Sequence, residues 1–134
     1  MNQIIIIKSN SEVVEKQFMN IREDTLHKIC GISDKSNITY ICSFEGSNIN
    51  IIHLFGIMHG EPDDINELIL PVPISDGTYY GPILVISTRP SSIDKYDRIN
   101  IDYDLINNYT ISEWEKDYEK IINTDINQDT SDDI

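Results

Sequence analysis

The apolar residues of this chain are concentrated in short runs that are rich in isoleucine and valine. The densest runs are "IIII" at positions 4–7, "IIHLFGI" at 51–57 and "ILVIS" at 83–87. Runs of about four to eight apolar residues with β-branched side chains are typical of buried strands, whereas a membrane-spanning helix needs about 20 apolar residues. The sequence therefore predicts a sheet with a buried centre and no transmembrane segment.

The first half of the chain predicts two hairpins with a short helix between them. "IIIIKSNSEVVEKQF" fits a hairpin that turns at Ser9–Ser11, and "NITYICSFEGSNINIIHLFGIMHG" fits a second one that turns at Glu45–Asn48. Between them, "REDTLHKICG" has acidic residues before its apolar positions and ends on Gly31, where a helix needs a left-handed residue.

The middle of the chain predicts a surface loop followed by a central strand. "EPDDINELILPVPISDG" is interrupted by three prolines, so it should cross the surface with one helical turn at 63–68. Ile83–Thr88 is apolar enough for a central strand, which Pro90 would end. Residues 91–108 mix isoleucine with aspartate and fit either an edge strand or an extended loop.

The last helix has the clearest signal. Thr110 is followed three residues later by Glu113, the spacing of a reciprocal capping box. The apolar side chains that share one helical face are Ile111, Trp114, Tyr118, Ile121 and Ile122. Residues 123–134 are polar and acidic with little to bury, so they should form a flexible tail.

These elements predict a single α+β domain at residues 1–122. The 134 residues suit one domain, since domains centre on about 100 to 150 residues. We expect a mostly antiparallel sheet in the order ββα, ββ, β, α, with the amphipathic helix at the C-terminus. That order is similar to the β-grasp arrangement of ubiquitin-like folds, an analogy that leaves the spatial strand order open.

The charge of the chain limits its partners. Lys and Arg number 10 against 23 Asp and Glu, a formal net charge of −13. No basic residue occurs between Lys35 and Arg89. Such a chain repels phosphate backbones, which argues against direct nucleic-acid binding and favours a protein partner with a basic surface.

The N-terminal stretch and the two cysteines predict a protein that is not secreted. The opening "MNQIIIIK" contains too short an apolar run for a secretory signal or a membrane anchor. We therefore expect a soluble, intracellular protein. Cys30 and Cys42 lack the clustered spacing of a zinc site and would stay reduced, so we interpret both as small buried hydrophobic residues.

The stretch "HLFGIMHGEPDD" at 53–64 raises the possibility of a metal site. On one continuous strand His53 and His59 would lie about 20 Å apart, too far to share an ion. The alternative is a small metal-dependent hydrolase whose ligands converge beyond the strand: His59, Glu61, Asp63 and Asp64. We favour a solvated loop without metal or other cofactor, and interpret His53 as a hydrogen-bonded strand histidine.

Recognisable catalytic motifs are absent from the sequence. It contains no G-x-S-x-G elbow, no P-loop and no G-x-G-x-x-G turn. Neither acyl-transfer chemistry nor nucleotide binding therefore has the local motif that it commonly uses. This favours a non-catalytic role.

A proline-rich step followed by aromatic residues is the candidate protein-binding site. Its residues are Pro71, Pro73, Tyr79, Tyr80 and Gly81. The prolines stiffen the backbone and the tyrosines offer aromatic area at low entropic cost, both of which suit recognition. The alternative is that these residues only build turns and core.

Two motifs, "LPVPISDGTYYG" at 70–81 and "TISEWEKDYEKI" at 110–121, carry a resemblance to a protein family. Over about residues 4–122 the chain resembles the small acidic proteins of nucleocytoplasmic large DNA viruses of the mimivirus kind. Those proteins join a proline-rich step to an aromatic pair and glycine, and end in a helix similar to the one with Trp114, Tyr118 and Glu119. The chain departs from them in "IINTDINQ", where they carry a Gly-Gly-Phe-Glu step after the helix.

The resemblance implies no particular activity, but it implies a location in the infected cell. The protein would belong to the host cytoplasm or the viral factory, or be carried in the virion. Together with the charge, this predicts a non-catalytic acidic interaction module of a giant virus. Its basic protein partner would belong to the viral transcription or genome-packaging apparatus. The alternative function is the metal-dependent hydrolase.

The separation of His53 and His59 gives a first testable prediction. Elemental analysis of the purified protein should find no transition metal at a stoichiometric level, because on one continuous strand the two histidines would lie about 20 Å apart. One zinc or manganese per chain would contradict this expectation.

Overall fold

The computed structural model describes residues 2–31, 38–68, 78–89 and 103–132, with Glu23 and residues 123–132 described by their backbone alone. The strands in these residues are β1 (Asn2–Ile7), β2 (Val13–Phe18), β3 (Ile38–Glu45), β4 (Ile51–Ile57), β5 (Tyr80–Thr88) and β6 (Ile106–Asn107). The α-helices are α1 (Leu26–Ile29) and α2 (Ile111–Asp132). Single 3₁₀ turns lie at Glu23–Thr25, Pro62–Asp64 and Tyr103–Leu105.

The strands form one sheet in the order β2-β1-β5-β4-β3, with β6 paired separately to β5. Each of these pairings is antiparallel. The predicted α+β class, with a mostly antiparallel sheet and a C-terminal helix, is therefore confirmed. The central position predicted for the strand at Ile83–Thr88 is confirmed as well. The comparison with β-grasp folds is not confirmed beyond these features.

Both faces of the central strands are covered, which explains why their sequences are apolar without alternation. Ile5 and Ile7 of β1 pack with Trp114 on the α2 side of the sheet. Ile4 packs with Leu26 on the opposite side, against α1. All seven residues of β4 are buried as well. Each fully buried isoleucine contributes roughly 1.5–3 kcal/mol, so this two-sided burial is the main source of stability in the fold.

Local signals predicted the first hairpin and the end of the short helix correctly. The Lys8 N–H donates to the Glu12 carbonyl at 2.8 Å, and the Ser11 N–H donates to the Lys8 carbonyl at 2.9 Å. Ser11 adopts φ +76° in this turn. Gly31 follows α1 with φ +80°, the left-handed conformation expected there.

The second hairpin differs from its prediction at Ile49. The turn predicted at Glu45–Asn48 puts this residue at the start of the following strand, but it lies in the loop before β4 with φ +53° and is 79% exposed. The reason is the next residue, Asn50, which turns inward and is buried. Its side-chain oxygen accepts the Asn48 N–H at 3.2 Å, and its amide donates to Ser87 Oγ at 2.8 Å. The buried asparagine fixes the loop and leaves Ile49 outside.

One loop prediction needed correction, and one open alternative is settled for the described residues. The helical turn predicted at 63–68 is shorter, covering only Pro62–Asp64, because Ile65 forms a β-bridge with Tyr80 instead. In the stretch that fitted either a strand or a loop, the described part contains a two-residue strand, β6, which pairs with Ser87 and Thr88.

The predicted capping box begins α2. The Thr110 N–H donates to Glu113 Oε1 at 3.2 Å, and the Glu113 N–H donates to Thr110 Oγ1 at 3.2 Å. The next residue, Trp114, is 3% exposed and belongs to the core. Cap and apolar stripe were both derived from local sequence. The cap is confirmed, and so is the packing of Ile111, Trp114 and Tyr118 against the core.

The helix continues further than its apolar stripe. It reaches Asp132, past the predicted end at Ile122, because residues 123–132 contain no glycine or proline that would stop it. The flexibility of residues 123–134 stays a prediction. Although α2 has 22 residues, none of the described helices has the apolar content that crossing a membrane requires.

Both cysteines are free and behave as apolar residues. Cys42 is buried and Cys30 is half-buried. Burial raises the pKa of each thiol to about 12. The thiols therefore stay protonated at neutral pH and are poor nucleophiles, which agrees with the interpretation from sequence.

The packing of α2 gives a stability prediction with a built-in comparison. Trp114→Ala should lower the free energy of unfolding by about 3 to 5 kcal/mol, because it removes a buried ring between helix and sheet. Thr110→Ala should cost only about 1 kcal/mol, the usual value of one N-cap. Urea denaturation measures both. Equal losses for the two variants would show that the ring is not part of the core.

Candidate functional site

An open groove runs between α2 and the first hairpin, with a volume of about 600 Å³. We call it the α2 groove. Its apolar surface comes from four side chains of α2, from Ile7 and Val13 on the hairpin, and from Leu68 in the loop after β4. Its polar surface consists of Ser11, Glu67, Glu115 and Glu119.

The α2 wall of the groove is the apolar stripe of the helix. Ile111, Trp114, Tyr118 and Ile122 follow one another at spacings of three or four residues, so they lie on one face. The rings of Trp114 and Tyr118 stack with centroids 5.2 Å apart and planes inclined by 26°. Trp114 is buried beneath the groove, whereas Tyr118 is half-buried and forms part of the open wall.

The opposite wall is held in place by a buried asparagine. The side-chain amide of Asn66 donates to the Ile7 carbonyl at 3.0 Å and to the Gly81 carbonyl at 2.8 Å. Its side-chain oxygen accepts the Leu68 N–H at 2.9 Å. The Glu67 N–H also donates to a carbonyl of the hairpin turn at 3.3 Å. Asn66 therefore fixes Glu67 and Leu68 at the edge of the groove.

A buried carboxylate holds α2 to the far end of the sheet. Asp117 is 2% exposed and accepts hydrogen bonds from the Ser47 N–H at 2.8 Å and the Ser47 hydroxyl at 2.7 Å. The Tyr109 hydroxyl donates to its other oxygen. Burial, together with this hydrogen bond, raises the pKa of Tyr109, so the donor keeps its proton.

The start of α2 is tied to the hairpin itself. The Ile111 N–H, one of the donors left free at a helix N-terminus, donates to Glu15 Oε2 of β2 at 2.9 Å. With Asp117 bonded on the other side, the helix is held at two points. The two walls of the groove are therefore held in place by hydrogen bonds within the chain.

The rim of the α2 groove is acidic. Glu67 lies on the loop side, while Glu115 and Glu119 lie one helical turn apart on α2. All three are exposed. None of the described residues that line the groove is Lys, Arg or His. The groove therefore offers apolar surface with negative charge on both sides.

The candidate binding residues from the sequence do not line this groove. Pro71 and Pro73 lie outside the described residues. Tyr79 is half-buried and packs against the core on the α2 side of the sheet. Tyr80 is half-buried at the start of β5, and Gly81 adopts φ +66°, which explains a glycine there. A role of this segment in recognition stays a prediction.

Sequence patterns alone could have found part of the acidic rim. Glu115 and Glu119 are visible as an i, i+4 pair beside the apolar stripe of α2. Glu67 and Leu68 reach the groove only because Asn66 bonds to a distant strand, and no local pattern signals that contact.

The residues of the hydrolase alternative lie on the surface. They are His59, Glu61, Asp63 and Asp64, and all four are exposed. Across the described ranges, no three His, Cys, Asp or Glu side chains are grouped so as to hold a metal ion. No observation in the described residues favours the hydrolase hypothesis.

His53 is the hydrogen-bonded strand histidine that the sequence predicted. It is 4% exposed, with Nδ1 2.7 Å from Ser43 Oγ and Nε2 2.9 Å from Thr88 Oγ1. The Tyr40 hydroxyl donates to Ser43 Oγ at 2.7 Å. Tyr40 and Ser43 share one face despite their odd spacing, because the register of β3 shifts between Tyr40 and Cys42.

The hydrogen bonds that join Tyr40, Ser43, His53 and Thr88 favour a structural role for these side chains. Burial lowers the pKa of His53 to about 4, so its ring is neutral at neutral pH and offers one donor and one acceptor to the two hydroxyls. A serine beside a histidine could begin a nucleophile pair, but here the ring's second partner is Thr88, not a carboxylate. Neither Ser43 nor His53 lines the α2 groove.

Comparisons of the chain with protein-family models, with curated proteins and with solved structures find no significant match. The resemblance to viral proteins drawn from the sequence stays a prediction. We therefore infer the function from the geometry and charge of the α2 groove.

Burial of His53 gives a pH-dependent stability. Its folded pKa of about 4 lies below the ordinary value of 6.5, so the unfolded chain binds a proton between these values and the folded chain does not. The contribution of the neutral His53 to the free energy of unfolding is therefore complete above about pH 6.5. It is lost as the pH falls toward about 4, and the loss is on the order of 3 kcal/mol.

Urea denaturation at about pH 7 and about pH 4.5 measures this effect. His53→Gln replaces the imidazole with an amide that can still donate and accept hydrogen bonds but cannot titrate, so the stability of this variant should depend less on pH than that of the unmodified chain. All other groups are the same in the two proteins, so their contributions cancel in the comparison. The same pH dependence in both would contradict the assignment.

Proposed function

We propose that the protein is a non-catalytic interaction module whose α2 groove binds a basic, amphipathic segment of a protein partner. One observation carries this proposal. A single groove combines an apolar surface built around Trp114 and Tyr118 with an acidic rim and no basic lining residue in the part of the chain that is described.

The length and spacing of the apolar stripe favour a helical segment. From Ile111 to Ile122 the stripe extends about 16 Å along α2, at 1.5 Å per residue, or roughly three helical turns. Amphipathic helices commonly dock in such grooves through apolar anchors at i, i+3 or i+4, and i+7. A helix lying along α2 would bury the exposed part of Tyr118.

The rim favours lysine and arginine beside these anchors. Glu115 and Glu119 flank the stripe on one side and Glu67 on the other, so cations on both borders of a docked helix would find a carboxylate. Long basic side chains can lie over apolar surface while their charged ends reach the rim. The net charge of −13 would also attract a basic partner from a distance and speed its association.

The fixed walls support a binding role over a purely structural one. Binding costs less when the receiving surface is already ordered. Asp117 and the capping box hold α2, and Asn66 holds the loop wall, so the groove needs no rearrangement to receive a partner. We also propose, from the resemblance alone, that the partner belongs to a viral transcription or genome-packaging apparatus.

Tryptophan fluorescence can test the proposal, because the chain contains one tryptophan and it lies in the groove. The probe is a synthetic helix with leucine on one face and lysine beside it. A second peptide replaces the lysines with glutamate, and a third replaces the leucines with glutamine. We expect only the first to bind well, and its binding should weaken as salt increases.

A charge-matched pair of variants identifies the site of binding. Glu115→Gln with Glu119→Gln should weaken binding of the leucine-lysine peptide about tenfold, equivalent to about 1.4 kcal/mol. Glu61→Gln with Asp64→Asn also removes two negative charges, but from the exposed loop outside the groove, and should leave binding almost unchanged. Equal weakening in both would show a response to net charge only. Equal binding of the glutamine-lysine peptide would show that the apolar groove is not used.

A further inference from the structure

The two edges of the sheet differ in charge and length. β2 forms one edge with six residues, including the exposed Glu15 and Lys16. β3 forms the other with eight residues and carries no charge from Ile38 to Phe44, with Glu45 at its end. In residues 2–31, 38–68, 78–89 and 103–132, no strand pairs with the outer side of β3.

An unpaired edge presents a row of backbone N–H and C=O groups to any strand that can approach. Proteins usually block such pairing with charged side chains, prolines, short strands or bulges. β2 is short and carries charge. β3 lacks charge and proline from Ile38 to Phe44, and its protective features are the bulge between Tyr40 and Cys42 and the charge of Glu45 at its end.

We propose that β3 pairs with β3 of a second copy of this chain, antiparallel about a two-fold axis. With the axis between Ile41 and Cys42, Thr39 lies opposite the second copy's Phe44. A β-branched residue facing an aromatic one is a favourable cross-strand pair. Ile41 and Phe44 are half-buried against the core on the α2 side, and the pairing would cover the rest of their surface.

The charges of the strand fit a second copy. In this register Glu45 faces the second copy's Ile38, so no two like charges lie opposite each other. The charged β2 edges remain at the two ends of the joined sheet, so the assembly closes as a dimer and does not grow into a filament. Because each chain carries −13, long-range repulsion opposes the pairing. Salt screens this repulsion and should therefore strengthen the dimer.

Sedimentation of the full chain tests the proposal directly. Over about a hundredfold range of concentration we expect a monomer–dimer equilibrium that shifts toward dimer between about 0.05 M and about 0.5 M NaCl. A basic partner in the α2 groove would respond to salt in the opposite direction, so the two proposals can fail separately. A monomer at every concentration and salt level would overturn the β3 pairing, and so would species that keep growing beyond a dimer.

Two lysine variants locate the contact. Thr39→Lys places a charge inside the proposed interface and should abolish the dimer, although it lowers the net repulsion. Gln17→Lys makes the same charge change at an exposed position of β2 and should leave the dimer intact. Equal effects of the two lysines would overturn the proposal.

Hydrogen exchange gives a test without mutation, which decides the matter if Thr39→Lys does not fold. The outward-facing amides of β3 should exchange more slowly as the protein concentration rises, because they become hydrogen-bonded across the interface. The edge amides of β2 should not change. Concentration-independent exchange along β3 would contradict the pairing.

Discussion

The burial of both faces of the β1, β5 and β4 strands is the constraint on which the rest of this structure depends. A strand covered on one face can alternate apolar and polar residues, but one covered on both faces cannot. Ile4 and Ile5 therefore point to opposite cores, one closed by α1 and the other by α2. Because the α2 core includes Trp114, the helix must lie across the sheet, and its stripe then becomes one wall of the groove.

The buried polar groups determine how that scaffold is positioned. Asp117, Asn66 and His53 are all buried, and each is hydrogen-bonded to a residue far away in the sequence. An unpaired polar group in these places would cost roughly 1–3 kcal/mol, so each pairing also selects one arrangement of its loop. Asp117 orients α2 through Ser47, and Asn66 brings Glu67 to the rim. The charge pattern of the groove is thus a consequence of buried hydrogen bonds.

Sequence reasoning succeeded where the governing contacts are local and failed where they are distant. The capping box at Thr110 and the left-handed Gly31 follow rules that span a few residues, and both were predicted. Ile49 was misplaced because the inward turn of Asn50 depends on a hydroxyl of another strand. The acids of α2 could be read from spacing, whereas their opposite wall could not, since it requires knowing that the loop after β4 returns to the hairpin.

The strand order places the two proposed surfaces at opposite ends of the sheet. The α2 groove lies beside β1 and β2, and β3 is the outermost described strand at the other end. A dimer formed through β3 would therefore leave both grooves open and present two acidic sites on one particle. Two linked sites can bind a partner with repeated basic segments far more tightly than one, provided its linker spans the distance between them. Salt would then act in two directions, favouring the dimer while weakening each groove contact, so binding of such a partner should be strongest at intermediate ionic strength.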